Sequence, residues 1–288
     1  MMVKLLATDL DGTLLDDYKR LSAKNKDALK SLFETGTQIA LCTGRPYHTV
    51  EPYLPQLDIP CWLITNNGSV IRSPQGEVVH TRYIHNEALE QVLYTLGQPP
   101  KLYYHGSDNH NTYIQSRWDR MKNIYGFERR SLNTPVKSAL HAFNTVCISS
   151  IHRQVNFSTF SKSGGRLANL IIISRDLEAL ELKKKQLEMI EGIYLTRSGK
   201  DNLEVLDEEA TKGNALRWLT EYLGISMEAV AAIGDHDNDI SMVQMAGIGF
   251  ATGNAEHHIK EQADFVTSTN NEDALWDLCQ KLKELSQP

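Results

Sequence analysis

The stretch that decides the fold is Val3-Lys4-Leu5-Leu6-Ala7-Thr8-Asp9-Leu10-Asp11-Gly12-Thr13. Val3 to Ala7 is short, mostly apolar and bounded by polar residues and glycine, which reads as a buried strand of a parallel sheet. Asp9 and Asp11 fall where that strand gives way to a loop. Gly12 permits a sharp exit, because glycine tolerates backbone angles that other residues avoid. Two carboxylates without partners are too costly to bury in a dry core. At the carboxyl end of a strand they can instead face a crevice and share a divalent cation. Alone, Asp-x-Asp-Gly also fits a calcium loop or an ordinary turn.

The chain downstream repeats the same grammar. Ser22 suits a helix N-cap, and Ala28, Leu29, Leu32 and Phe33 follow at helical spacing up to Glu34 and Gly36. Gln38 to Cys42 reads as a second strand and ends at Thr43-Gly44-Arg45, with Pro46 fit for the first turn of a helix. Cys61 to Thr65 reads as a third and ends at Asn66-Asn67-Gly68. Strand, helix, strand, helix, strand is the pattern of a doubly wound α/β sheet. Val70-Ile71 and Val78-Val79, around Ser73-Pro74-Gln75-Gly76, predict a hairpin.

From about residue 84 the pattern becomes mixed α+β. Strands are expected at 102–104, 112–114, 145–148, 169–173, 193–196 and 203–206. Helices are expected near 86–96, 115–125 and 176–190, and the Ser/Gly-rich 153–166 reads as a loop. The doubly wound pattern resumes at Thr211-Lys212-Gly213. A helix follows there, carrying Ala215, Leu216, Trp218 and Leu219. Further strands are expected at 229–233, 248–251 and 265–266, and a closing amphipathic helix near 272–285. The expected organisation is a core of 1–83 and 207–288 with a separate domain, 84–206, inserted into it.

Composition narrows the class. The chain has 288 residues, 41% of them hydrophobic and 23% charged, which suits a globular protein with two domains. A net charge of −6 gives no reason to expect nucleic acid as partner. No apolar run is long enough to span a membrane, and Lys4 and Asp9 interrupt any signal-peptide core, so a cytoplasmic location is expected. Cys42, Cys61, Cys147 and Cys279 are scattered and read as small buried hydrophobes. The histidines at 105, 110, 141, 152, 257 and 258 lack metal-ligand spacing. Tyr103, Tyr104, Tyr113 and Trp118 read as core of the inserted domain rather than a stack for substrate.

Topology gathers the polar clusters. In an open parallel sheet ligands bind beyond the carboxyl ends of the strands, where strand order reverses. Asp9 and Asp11, Thr43, and the Asp235, Asn238 and Asp239 of Gly234-Asp235-His236-Asp237-Asn238-Asp239 all fall at that edge, while Lys212 opens a helix. In order and type these clusters resemble the four motifs of the haloacid dehalogenase (HAD) superfamily of phosphotransferases. Thr43-Gly44-Arg45, Asn67-Gly68-Ser69 and Thr211-Lys212-Gly213-Asn214-Ala215-Leu216 look like its Cof-type branch, subclass IIB. The resemblance spans essentially the whole chain. It implies a doubly wound parallel-sheet core with an inserted C2-type α+β cap.

The resemblance also implies an activity and roles. The expected protein is a phosphatase of small phosphate esters, monomeric or weakly homo-oligomeric, dependent on Mg²⁺. Asp9 would be the nucleophile that forms an aspartyl-phosphate, and Asp11 the general acid and base. Mg²⁺ would be held by Asp9, the backbone carbonyl of Asp11, and Asp235. Leu10 through its backbone, Thr43, Gly44 and Lys212 would bind phosphate. Asn238 would bind phosphate or orient Asp235, and Asp239 would hold Lys212 or a metal-bound water. Several residues keep plainer alternatives. Thr43 also suits an N-cap; Asn67 would line the substrate crevice or merely make a turn with Gly68, and Arg45 would be a crevice residue or a member of a surface ion pair. His236 departs from the small polar residue usual in this branch, and could touch the metal's water shell or face solvent. A phosphomutase shares the aspartyl-phosphate, and a phospho-accepting binding module shares the acceptor. Such a module needs no general acid, which Asp11 would supply here.

Overall fold

The computed structural model describes residues 3–128, 134–148, 150–197 and 199–285. The chain divides into two compact units, Met1–Arg82 with Glu209–Pro288, and Tyr83–Glu208. In the first unit β1 (Leu5–Thr8) is buried along its whole length. Helix α1 (Ala23–Glu34) starts at Ser22, whose side chain accepts the Asn25 N–H at 3.1 Å. Strand β2 (Gln38–Cys42) leads to the short helices α2 (Tyr47–Val50) and α3 (Leu54–Leu57), and β3 (Trp62–Thr65) follows. The hairpin is β4 (Val70–Arg72) with β5 (Val78–Thr81), closed where the Ser73 N–H donates to Glu77 O at 2.8 Å.

The second unit runs α4 (Asn86–Gly97), β6 (Tyr103–Ser107), β7 (Thr112–Ile114), α5 (Arg117–Glu128), α6 (Pro135–Phe143), β8 (His152–Gln154), α7 (Phe157–Phe160), β9 (Asn169–Ile173), α8 (Leu177–Leu187), β10 (Ile193–Thr196) and β11 (Asn202–Asp207). Its strands form one sheet in the order β10-β11-β9-β6-β7-β8. Leu89 and Val92 of α4, Phe157 and Phe160 of α7, and Leu180 and Leu187 of α8 pack with Tyr104, Leu170, Ile172 and Leu203 of that sheet. Three expectations fail here. Thr145–Ile148 is a widened helical turn continuing α6. Thr134 caps that helix and Pro135 opens it, and the growing helix overrides the weak strand preference of a Thr-Val-Cys-Ile run. The strand instead lies at His152–Gln154, which with α7 falls in or beside the stretch read as loop. Trp118 is not core: it is 62% exposed, whereas Tyr104 and Tyr113 pack on Phe157 and Phe160.

The chain then returns to the first unit with α9 (Lys212–Leu223), β12 (Val230–Gly234), α10 (Ile240–Met245), β13 (Ile248–Ala251), α11 (His257–Lys260), β14 (Phe265–Val266) and α12 (Ala274–Leu285). The sheet order among the described residues is β14-β13-β12-β1-β2-β3-β4-β5, parallel from β14 to β3. Strand order reverses at β1, which pairs with β12 on one side and β2 on the other. The two-residue period of the strands sorts the core into layers. Leu6, Ile39, Leu41 and Ile233 pack with Leu29 of α1 and Leu275 and Leu278 of α12. Leu5, Ala7, Ala40 and Ala232 pack with Leu216 and Leu219 of α9 and Met242 of α10. Cys42, Cys61 and Cys279 are free and buried, as small hydrophobes would be. No helix among the described residues is long and apolar enough to cross a membrane.

Helices α9 and α10 meet at Gly213. A Cβ there would fall 2.6 Å from the backbone of Ser241 and 2.8 Å from Met245 Sδ. Gly→Ala within a helix ordinarily stabilises by about 0.5–1 kcal/mol. Overpacking against backbone reverses the sign and costs about 1–3 kcal/mol. Gly213→Ala is therefore expected to lower the urea midpoint without changing the m-value. A raised midpoint would show that this contact is not tight.

Candidate active site

The crevice is assembled at the carboxyl ends of β1, β2 and β12. Asp9 follows β1, and its N–H donates to Ile233 O at 3.0 Å, which sets it beside β12 and hence beside Asp235. Gly12 makes the approach possible. Its φ is +83°, and a Cβ there would lie 2.4 Å from Asp235 Oδ2. Thr13 then donates its hydroxyl to Asp235 Oδ1 at 2.8 Å.

Lys212 stands at the first position of α9, behind the N-cap Thr211, whose hydroxyl accepts the Asn214 N–H. Its Nζ donates to Asp9 Oδ1 and to Asp239 Oδ1, each at 2.6 Å, and all three residues are buried. The other oxygen of Asp239 accepts the N–H groups of Asp235 and His236 at 2.9 and 3.0 Å. Asp239 is thus a bracket that holds both Lys212 and the turn carrying Asp235. The side-chain oxygens of Asp9, Asp235 and Asp239 include a set lying within 4.8 Å of one another.

The electrostatics are lopsided. Burial pushes the Asp9 carboxyl well above the usual carboxylate range, the charges of Asp239 and Asp235 push the same way, and Lys212 opposes them. Burial works against the charge on Lys212, but Asp239 and Asp9 outweigh it and hold the lysine above its ordinary value. Three carboxylates face one ammonium, so negative charge is left over. His236 responds to it. Its Nδ1 lies 2.5 Å from Asp235 Oδ2, and that hydrogen bond lifts the imidazole to about 9 although the ring is half exposed. The cluster suits a hard divalent cation. Asp9 keeps Oδ2 outside the hydrogen bond to Lys212, Asp235 adds a second carboxylate, and the surplus charge is of the right sign.

The other expected site residues arrange themselves as follows. Thr43 is buried, and its hydroxyl oxygen accepts the Arg45 N–H at 3.2 Å, leaving the O–H able to donate. Pro46, not Thr43, stands at the helix start. Gly44 lies against the Asn67 amide, 3.0 Å from where its Cβ would be. The Leu10 side chain is core and its carbonyl accepts from Leu15, which leaves its backbone N–H as the group it can offer. Asn238 donates its amide to Asn67 Oδ1 at 2.8 Å rather than to Asp235. The Asp11 carboxylate is not in the acidic cluster. Arg45 grips it with Nε and Nη2 at 2.5 and 2.6 Å, and Lys19 adds a bond at 2.7 Å. Burial alone would raise its pKa; the Arg45 bonds and the charges of Arg45 and Lys19 win and hold it below the usual range. Sequence reasoning gave no role to Thr13, Lys19 or Ser241, the last of which accepts the Gly213 N–H. Thr13 sits inside the quoted motif and could have been found; Lys19 and Ser241 carry no local signal.

A sequence model of haloacid dehalogenase-like hydrolases matches residues 6–278. The chain is 31% identical to phosphatase YwpJ of Bacillus subtilis, over 94% of this chain and 96% of that protein. It is also 31% identical to the B. subtilis 5-amino-6-(5-phospho-D-ribitylamino)uracil phosphatase YcsE, over 95% and 93%. A solved haloacid dehalogenase-like hydrolase from B. subtilis superposes with a TM-score of 0.79 at 30% identity, covering 97% of this chain and 99% of that one. The chain belongs to the haloacid dehalogenase-like hydrolase family, in its Cof-type branch. It is a hydrolase of phosphate esters.

Removing the ammonium tests the electrostatics. Lys212→Met should abolish activity and cost about 3–5 kcal/mol, because it leaves buried carboxylates without a counter-charge. The Asp9 carboxyl, already raised with Lys212 opposing it, would then be pushed further above its unfolded value. The native state would bind more protons than the unfolded state, so stability falls as pH rises. Urea midpoints from pH 5 to 8 should therefore separate further from wild type with increasing pH. A constant offset would mean that Asp9 and Asp239 are compensated by something other than Lys212.

Proposed function

We propose that the chain is a Mg²⁺-dependent phosphatase of small phosphorylated metabolites that works through an aspartyl-phosphate on Asp9. The observation that carries this reading is the buried Lys212 bridge between Asp9 and Asp239 with Asp235 alongside. An anionic ester approaches an anionic nucleophile only where charge has been neutralised beforehand. Lys212 supplies one fixed positive charge next to the attacking carboxylate. Asp9, Asp235 and the Asp11 backbone carbonyl would hold Mg²⁺, which when bound adds two further positive charges and a fixed phosphate orientation.

The chain's own steps follow. A carboxylate oxygen of Asp9 forms a bond to phosphorus as the bond to the leaving alkoxide breaks. The Thr43 hydroxyl and the Gly44 and Leu10 N–H groups take phosphate oxygens. Asp11 carries the proton, giving it to the leaving oxygen and then taking one from the water that cleaves the acyl phosphate. For that, its carboxyl has to exchange the Arg45 and Lys19 bonds for the substrate. Residues 84–206, the expected cap, would select the leaving group.

Two measurements test the reading. Asp9→Asn keeps shape and removes the nucleophile, so turnover of p-nitrophenyl phosphate should vanish while the fold persists. A variant with a tenth of wild-type kcat, a barrier change of only about 1.4 kcal/mol, would defeat the assignment. Excess chelator should abolish activity and Mg²⁺ restore it. Ca²⁺ should restore little, because its larger and looser shell spoils the in-line geometry. Full activity in chelator would remove the metal from the mechanism.

A further inference from the structure

One element meets four of the five groups expected to bind phosphate, Thr43, Gly44, Lys212 and Asn238, although the sequence reading gave its Asn67 only a place lining the crevice. It is the turn Asn66-Asn67-Gly68 after β3. All three residues are buried and all three have left-handed backbones, with φ of +49°, +55° and +111°. Left-handed residues usually occur singly, and a non-glycine residue there costs of order 1 kcal/mol or more. Two adjacent asparagines held this way inside the protein are kept so by what surrounds them.

The surroundings are the site. The Asn66 N–H donates to Arg45 O at 3.1 Å and the Asn67 N–H to Thr43 O at 3.0 Å, which locks the Thr43–Arg45 loop to the turn. Gly44 packs against the Asn67 amide. Gly68 packs against the start of α9: a Cβ on it would lie 2.4 Å from Thr211 O and 3.1 Å from Lys212 N. The Asn67 side chain then reaches the fourth strand end, where its Oδ1 accepts from Asn238 Nδ2 at 2.8 Å. The Asn238 Oδ1 is left buried without a partner among the described residues. With Asn67 holding one end of the Asn238 amide, the rest of that amide is aimed and not free to turn.

We propose that Asn67 is a positioning residue: it fixes the Asn238 amide against the Thr43–Gly44 loop and, through Gly68, against Lys212, without itself touching the substrate. The inference rests on the phosphatase reading and adds to it a residue that acts through another. Its energetic signature differs from that of a substrate contact. A misplaced group costs transition-state stabilisation and appears in kcat, and errors of about 1 Å cost on the order of 100-fold. A lost ground-state contact appears in KM.

The test is Asn67→Gly, which accepts the left-handed backbone and deletes only the side chain. It is combined with Asn238→Ala and the double variant, all assayed with p-nitrophenyl phosphate and Mg²⁺ beside wild type and Asp9→Asn. Expected are a kcat about 10- to 100-fold down in Asn67→Gly with KM within about threefold. Asn238→Ala should lose a similar amount, and the double variant should be no slower than the slower single one, because the residues work as a unit. Thermal midpoints decide whether a loss is structural: a kcat that falls only in step with the folded fraction overturns the inference. So does a raised KM at unchanged kcat, which would make Asn67 a substrate contact, or additive losses, which would make the asparagines independent. These outcomes, with Asp9→Asn dead, leave the phosphatase reading intact. An inactive wild type or an active Asp9→Asn overturns that reading and this inference with it.

Discussion

A single buried ammonium sets the geometry of the crevice. Lys212 Nζ is shared by Asp9 from β1 and Asp239 from the turn after β12, and the Asp239 carboxylate in turn holds the backbone under Asp235. Charges of this kind are tolerated in an interior only when paired and hydrogen-bonded. The bridge therefore fixes where α9 begins relative to the sheet. Gly213 lets α10 close on that helix start, and Gly234 lets Asp239 pack back on its own strand, a Cβ there falling 2.3 Å from Asp239 Cβ. Burying the lysine makes the surrounding small residues necessary.

The same unit has to absorb a long insertion between β5 and α9. Arg82, the last residue before it, donates its N–H to Ser69 O at 2.7 Å and pairs with Glu209, the first residue after it, at 2.8 Å. The chain thus leaves and re-enters the first unit at one point, tied by an ion pair that belongs wholly to that unit. Lys212 lies three residues beyond Glu209. An insertion entering beside the helix start need not disturb the layers on either side of β1.

How much was legible follows from which forces are local. Strands β1 to β3 could be read because they are buried on both faces and carry continuous apolar runs, and Ser22 because a cap is a contact between residues three apart. Asp9, Lys212, Asp235 and Asp239 could be placed together because parallel topology gathers strand ends, whatever the details of packing. Side-chain partners were not legible in the same way. Nothing in the order of residues says that Arg45 and Lys19 close on Asp11, since Lys19 is brought there by a left-handed turn of its own. Asn238 turns to Asn67 rather than Asp235 because of a loop 171 positions earlier in the chain. In the second unit, Thr145–Ile148 shows the opposite failure: local strand preference was present, and a helix already begun at Thr134 overrode it. The exposed Trp118 shows that aromatic content alone does not mark a core.

Where local preference loses, the loss has a location. Besides Asn66 and Asn67, three non-glycine residues have positive φ among the described residues: Lys19, Asp58 and Asp273. Asp58 ends α3 and Asp273 ends the short turn Asn270–Glu272 just before α12, each a single left-handed residue of the kind that ordinarily ends a helix. Lys19 sits in an exposed turn and carries its ammonium to Asp11. Only the asparagine pair is consecutive, buried and without a helix to end. The pair makes the reversal between the antiparallel strands β3 and β4, but its choice has more behind it than the hairpin. That choice is explained by what the reversal must hold: the carbonyls of Thr43 and Arg45 on one side, the start of α9 on another, and the Asn238 amide on the third. Local rules are broken where several distant elements have to meet at fixed spacing, and in this fold that place is the edge of the crevice.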